Sequence, residues 1–213
     1  MGMLVQKFVV GRFFTNCYVV RCEQTKETII IDPGFDDRLE VERIFRFIDE
    51  NVSTLKFIVN THGHPDHTCG NGIVKEKFHA PILIHEYDGR MLGRSGERIG
   101  EFFGFAGSSP PADALLHDDD SVSFGEITLK VMHTPGHSRG SISLLGEKAV
   151  FTGDTLFLGS IGRTDFPESS EMDMRLSLKK LASLSDDLAV YPGHGPVTEL
   201  GKEKSNNPFL KML

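Results

Sequence analysis

Along the first third of the chain, apolar residues arrive in short runs separated by turn formers. Residues 3–10, 17–22 and 27–32 are rich in Val, Ile, Phe and Tyr, and Gly, Asn and Thr break them apart, which predicts three strands. The run Thr28-Ile29-Ile30-Ile31 does not alternate, as expected of a strand covered on both faces, and it stops at the turn signal Asp32-Pro33-Gly34. Over residues 38–50 the spacing becomes helical, with Leu39, Ile44, Phe45 and Ile48 assigned to one face. A short strand, Phe57-Ile58-Val59-Asn60, follows, then a helix over 69–78 and a buried strand at Pro81-Ile82-Leu83-Ile84. Strands resume at 121–124, 127–132, 141–145 and 149–152, with Gly125-Glu126 as a hairpin turn. An amphipathic helix is expected over 170–183 through Met174, Leu178 and Leu181, and the last strand is Leu188-Ala189-Val190-Tyr191. Strands that dominate, with helices between them, predict an α/β (α+β) fold in which two packed sheets carry helices outside, a four-layer αββα sandwich.

Residues 93–114 break this rhythm. They hold Gly93, Gly96, Gly100, Gly104 and Gly107, then Ser108-Ser109-Pro110-Pro111, with Phe102, Phe103 and Phe105 among them. Two readings are open: a mobile cover over a site, or a surface loop whose phenylalanines tuck into the core.

Length and composition narrow the class. A chain of 213 residues, 39% hydrophobic and 25% charged, is long enough for one well-cored domain and has the make-up of an ordinary globular protein. Lys and Arg number 23 against 30 Asp and Glu, a formal charge of −7, and no long basic run appears, so no nucleic-acid partner is expected. No apolar stretch approaches the roughly 20 residues that span a bilayer, so no membrane partner is expected either. The opening residues, Met1 to Lys7, lack the apolar core of a signal peptide. Cys17, Cys22 and Cys69 are odd in number and form no Cys-x-x-Cys pair, which points to a reducing cytoplasm.

The chemistry is concentrated in Asn60-Thr61-His62-Gly63-His64-Pro65-Asp66-His67, where three imidazoles and a carboxylate occupy six positions. Imidazole nitrogen and carboxylate oxygen suit zinc or another first-row divalent metal. Gly63 and Pro65 predict a tight, non-helical loop on which His62 and His64 face one metal while Asp66 and His67 face a neighbour. Two metals about 3.5–4 Å apart are spanned naturally by such a loop. Three further candidates, His137, Asp154 and His194, each follow a predicted strand and each come directly after a glycine, Gly136, Gly153 and Gly193. A glycine there lets the backbone turn so that the side chain projects from the strand end. A lone histidine after a strand is ordinarily structural, and His79, His85, His117 and His133 are read so. The clustered set is not, because its members reinforce one another.

In order and approximate spacing these motifs resemble the metallo-β-lactamase superfamily, over nearly the whole chain, so that residues 1–213 are expected to form a single domain of that type. Within it the chain is most similar to short glyoxalase II-like hydrolases, through Phe151-Thr152-Gly153-Asp154-Thr155-Leu156-Phe157, the segment from Gly159 to Pro167, Tyr191-Pro192-Gly193-His194-Gly195-Pro196 and Asn206-Asn207-Pro208-Phe209. The resemblance implies that His62, His64 and His137 hold one metal, that Asp66, His67 and His194 hold a second, and that Asp154 bridges them, with Asp32 bracing the histidine loop. It implies two divalent ions as cofactors, zinc first, with iron or manganese as alternatives. Two departures stand out. Only 19 residues follow His194 (213 − 194 = 19), so the C-terminal helical domain that helps two-domain glyoxalase II enzymes grip glutathione is expected to be missing. Arg163 also replaces a lysine of those enzymes.

The implied reaction is attack of a metal-bridging hydroxide on a thioester such as S-lactoylglutathione, releasing a hydroxy acid and a thiol, with Asp66 and Asp154 as the catalytic carboxylates. No general acid is placed by the sequence near the metals, and a thiolate, with a parent pKa near about 8.5, leaves without one more readily than an amine does. Arg163 is the expected contact for a small anionic substrate, against the alternative of a salt bridge to Asp165 or Glu168 that only shapes its loop. A rival reaction is that of persulfide dioxygenases, which the Gly-Arg-Thr-Asp-Phe segment also resembles. These use one iron on the equivalents of His62, His137 and Asp154, but usually show Asp-Tyr where this chain has Gly195-Pro196.

Overall fold

The non-alternating apolar runs become the centre of two six-stranded sheets. The computed structural model describes residues 2–213. The first sheet has the order β1 (Met3–Val10), β2 (Thr15–Cys22), β3 (Glu27–Ile31), β4 (Thr54–Val59), β5 (Ile82–His85), β6 (Ala114–Leu116). It is antiparallel from β1 to β3 and parallel from β3 to β6. The second sheet contains β7 (Ser121–Phe124), β8 (Ile127–His133), β9 (Ile142–Leu145), β10 (Ala149–Gly153), β13 (Ala189–Pro192) and β14 (Thr198–Glu199), in the order β14-β13-β10-β9-β8-β7. A small hairpin, β11 (Leu156–Phe157) and β12 (Ser160–Ile161), stands beside them.

Three apolar layers hold these parts together. Between the sheets, Tyr18, Ile29, Ile31 and Val59 meet Phe124, Leu129, Leu144 and Phe151. On the outer face of the first sheet, Ile30, Ile58 and Ile82 pack against α1 (Arg38–Asn51) and α3 (Asn71–Phe78). On the outer face of the second, Val150 and Val190 pack against α5 (Glu171–Ala182), α6 (Leu200–Asn206) and α7 (Pro208–Lys211). This is the αββα sandwich that the patterning predicts. Each fully buried Leu, Ile or Phe in it contributes about 1.5–3 kcal/mol.

Four sequence expectations need correction. Pro65 does not forbid a helix but begins one, α2 (Pro65–Thr68), because proline fits the first helical position, where no intrahelical N–H bond is required. Residues 93–114 are not one loop: 94–103 form α4 (Arg94–Phe103), and β6 follows. Phe105 tucks in, whereas Phe102 and Phe103 remain exposed. Leu39 is exposed while Ile44 and Ile48 are buried, since five helical positions turn Leu39 about 140° away from Ile44. Finally, β13 is not the last strand, because β14 pairs antiparallel with it.

The functional residues come after the carboxyl ends of strands. Asp32 follows β3, the histidine segment follows β4, His137 follows β8, Asp154 follows β10 and His194 follows β13. Ligand sites of open sheets gather at such ends, where loops are anchored by a rigid frame.

Candidate metal centre

The histidine segment is built around Asp32, a buried residue in the left-handed region at φ 50°. Its Oδ1 accepts the Thr61 backbone N–H at 2.7 Å, and its Oδ2 accepts the Thr61 hydroxyl at 2.6 Å and His67 Nδ1–H at 3.0 Å. The expected brace is therefore present. Asn60 and Asn71 exchange side-chain hydrogen bonds beneath the same turn and hold the start of α3 to it.

All seven donors proposed from the sequence converge. Ligand atoms of His62, His64 and His137 lie within 4.8 Å of one another, as do those of Asp66, His67 and His194, and those of His62, His67 and Asp154. Asp154 stands between the two groups: Oδ1 is 3.5 Å from His67 Nε2, and Oδ2 is 3.5 Å from both His137 Nε2 and His194 Nε2. Glycine makes that proximity possible. A Cβ on Gly193 would lie 2.1 Å from Asp154 Oδ1 and 2.9 Å from His67 Cε1.

The outer nitrogen of each ring has an acceptor. His67 Nδ1–H donates to Asp32, His137 Nδ1–H to the Arg163 carbonyl at 2.9 Å, His194 Nδ1–H to the Phe13 carbonyl at 3.1 Å, and His64 Nε2–H to Glu168 at 3.1 Å. Thr61 gives its own proton to Asp32, so its oxygen accepts His62 Nδ1–H at 3.2 Å. Fixing the outer proton leaves the inner nitrogen as the one that faces the centre and can ligate, the arrangement found around metal-ligating histidines. Inner nitrogens then confront each other at 2.9 Å (His64 and His137) and 3.2 Å (His67 and His194). His62 Nε2 and Asp154 Oδ1 are buried with no hydrogen-bond partner. Ring nitrogens this close, whether bare or protonated, and orphaned buried atoms are costly unless a metal cation lies among them, and imidazole with carboxylate is a donor set for first-row divalent ions. The residues fit a metal centre.

Electrostatics point the same way. Burial, then the neighbouring imidazoles, hold His62 well below the usual histidine range. Burial also lowers His137, partly offset by Asp154. For His67 and His194 burial is outweighed by the carboxylates around them, which lift them to about 9 and about 10. Asp66 and Asp154 are pushed up by burial and pulled down further by His67 and His194, so both stay ionised.

Arg163 lines the cavity, but its guanidinium is held by Asp165 through two contacts of 2.6 and 2.7 Å and lies 4.3 Å over the Phe166 ring. Of the two alternatives weighed from the sequence, the loop-shaping salt bridge is the contact observed, while Glu168 serves His64 instead.

Sequence reasoning missed Asp88. This buried carboxylate accepts Gly63 N–H at 3.0 Å and Ser138 Oγ–H at 2.6 Å on Oδ2, and Gly140 N–H at 2.7 Å on Oδ1. It joins the His62 loop to the His137 loop. Asp88-Gly89 reads locally as a turn, and only the three-dimensional contact reveals its role. Of the histidines set aside as structural, His85 and His133 stack on each other with ring centroids 4.1 Å apart and belong to none of the donor groups.

Comparison with known proteins adds an independent line. The model of the metallo-β-lactamase superfamily matches residues 10–194. Hydroxyacylglutathione hydrolase GloC of Haemophilus influenzae is 36% identical, over 98% of this chain and 98% of that protein. Among solved structures, BLEG-1 B3 metallo-β-lactamase superposes with a TM-score of 0.87 at 33% identity, covering 97% of this chain and 99% of that one. TTHA1623 in a di-iron-bound form gives 0.84 at 32%, covering 97% and 100%. ETHE1 from Myxococcus xanthus gives 0.80 at 28%, covering 96% and 83%.

Proposed function

We propose that this chain, which belongs to the metallo-β-lactamase superfamily of metal-dependent hydrolases, cleaves thioesters at a two-metal centre. The observation that carries this is the pair of donor triads sharing Asp154. His62, His64 and His137 would hold one divalent ion and Asp66, His67 and His194 the other, with Asp154 between them. Zinc is the first choice, and the di-iron form of TTHA1623 keeps iron open. When bound, such ions supply a hydroxide nucleophile at neutral pH and polarise the acyl carbonyl.

The chain's own groups do the remaining work. Asp66 and Asp154 stay ionised, so they orient water by accepting its hydrogens rather than storing a proton. Thr15 donates to Asp66 Oδ2 at 3.2 Å and fixes that carboxylate. The one cavity-lining carboxylate outside the donor set, Glu168, already accepts from His64 and is not free to protonate a leaving group. A thiolate tolerates that inventory better than an amine, which favours a thioester over the lactam suggested by BLEG-1. The name of GloC supports a hydroxyacyl thioester such as S-lactoylglutathione as first substrate to test. Three free, buried cysteines support a reducing, cytoplasmic setting. No helix among the described residues is long and apolar enough to cross a membrane.

The rival dioxygenase needs only His62, His137 and Asp154, which leaves Asp66, His67 and His194 without a purpose. Metal analysis combined with S-lactoylglutathione turnover, in air and in an anaerobic chamber, separates the two. Two metals per chain and oxygen-independent cleavage are expected. One metal at saturation, with oxygen uptake on glutathione persulfide and no thioester cleavage, overturns the proposal.

A further inference from the structure

A cavity of about 580 Å³ reaches the histidines, and most of its wall away from them is hydrocarbon. Phe13 enters from the β1–β2 connection, Met91 from the turn before α4, Ile99 and Phe103 from α4, Phe105 from just beyond it and Phe157 from β11. In α4 only Gly100 is buried, so this helix does not fill a core. Two of its apolar residues, Ile99 and Phe103, front the cavity, where they stay 39% and 43% exposed, with Phe13 at 47%. Large apolar side chains left open beside a reactive centre mark a ligand surface rather than a packing surface.

Charge narrows the ligand. Arg163 is the one lysine or arginine among the lining residues, and Asp165 neutralises it. Glu168 adds a carboxylate to the wall. A substrate whose bulk is anionic therefore finds no unpaired side-chain cation in the cavity, whereas an apolar group finds aromatic faces.

We propose that this wall seats the acyl group of the substrate, and that the preferred acyl group is bulky and apolar, an aromatic or medium-chain hydrocarbon that is cleaved faster than lactoyl. This rests on the thioesterase reading above. In the reaction, water oxygen bonds to the acyl carbon and the C–S bond breaks with its electron pair on sulfur. Of the two water protons, one ends on the thiolate and the other passes to solvent as the acid ionises. Phe103, Phe105 and Phe13 determine which acyl groups reach that point.

The test uses the metal-loaded enzyme and one small neutral carrier, N-acetylcysteamine, acylated with acetyl, lactoyl, hexanoyl or phenylacetyl. Values of kcat/KM for hexanoyl and phenylacetyl should exceed those for acetyl and lactoyl by at least about 10-fold, since each methylene in an apolar pocket is worth roughly 10-fold or more. In Phe103→Ala that ratio should shrink by about 10-fold, and Ile99→Ala provides a second variant should the first fail to fold. Binding of phenylacetamide, followed by NMR, reads the pocket without turnover, and it should weaken in the same variants. Thioester cleavage with lactoyl equal to or faster than phenylacetyl overturns this inference and leaves the thioesterase reading intact. If no thioester is cleaved, the thioesterase reading fails, and the acyl assignment falls with it whether or not phenylacetamide binds.

Discussion

Replacing Asp32 by Asn should weaken cations at both positions although Asp32 touches neither. Asn tolerates the left-handed backbone at φ 50°, so the swap changes hydrogen bonding and charge rather than the fold. If the amide nitrogen faced Thr61 N–H, two donors would confront each other at the present 2.7 Å. It must therefore take the place of Oδ2 and donate toward His67 Nδ1 and Thr61 Oγ1. His67 then carries its proton on Nε2, aimed into the centre. The Thr61 hydroxyl, no longer donating to Asp32, turns to His62 Nδ1 and drives that ring into the same wrong tautomer. Loss of an orienting partner typically lowers metal affinity 10- to 100-fold, about 1.4–2.8 kcal/mol. Three bonds to a charged acceptor also become neutral ones, which should destabilise the metal-free fold by about 1–3 kcal/mol. Zinc titration against a chromophoric chelator reads both constants, and calorimetry reads the fold. Thr61→Val is the contrast, since it removes the hydroxyl from Asp32 and His62 but leaves the bond between Asp32 and His67, and should weaken mainly one constant. A folded Asp32→Asn that binds two zinc ions as tightly as the wild type refutes the tautomer reasoning.

Other outcomes follow from the same geometry. Gly193→Ala places a methyl 2.1 Å from Asp154 Oδ1 and should leave a folded chain, by circular dichroism, that retains less than the full metal load by elemental analysis. Asp154→Ala should weaken both ions together, whereas His194→Ala should empty mainly one, as competition titrations would show. Because His67 and His194 are raised to about 9 and about 10, they hold protons at pH 7 that a cation must displace. Affinity should therefore rise with pH up to about 10, less steeply above about 9, and calorimetry at pH 7 in buffers of different ionisation enthalpy should show up to about two protons released per chain.

Much of this architecture was legible because it is local. Four candidate metal-binding side chains within six residues need no tertiary information to be noticed, and Gly136-His137, Gly153-Asp154 and Gly193-His194 repeat one device at strand ends. What escaped the sequence is non-local. In α4, Gly96 and Gly100 lower helix propensity and disguise an amphipathic helix. Yet a Cβ on Gly96 would lie 2.3 Å from the Met91 carbonyl, so close packing there outweighs propensity. Asp88 escaped for a related reason: its partners, Gly63, Ser138 and Gly140, are remote in sequence.

The centre is divided between the sheets, and this explains why the clasps around it are buried. Four donors, His62, His64, Asp66 and His67, follow β4 of the first sheet, while His137, Asp154 and His194 follow strands of the second. Any sliding of one sheet over the other would separate the triads, and the apolar layer between them has no directionality to prevent it. Directional bonds do. Asp88 ties the first sheet's loop to Ser138 and Gly140. Asn16 donates from its backbone to the Gly193 carbonyl at 2.7 Å and from its side chain to those of Pro192 and Gly195, both at 2.9 Å. Tyr18 adds its hydroxyl to the Pro192 carbonyl at 2.6 Å. Two such clasps, one beside His137 and one beside His194, fix both rotation and translation across the rim, so the residue that each triad takes from the second sheet is held in place by residues outside the donor set.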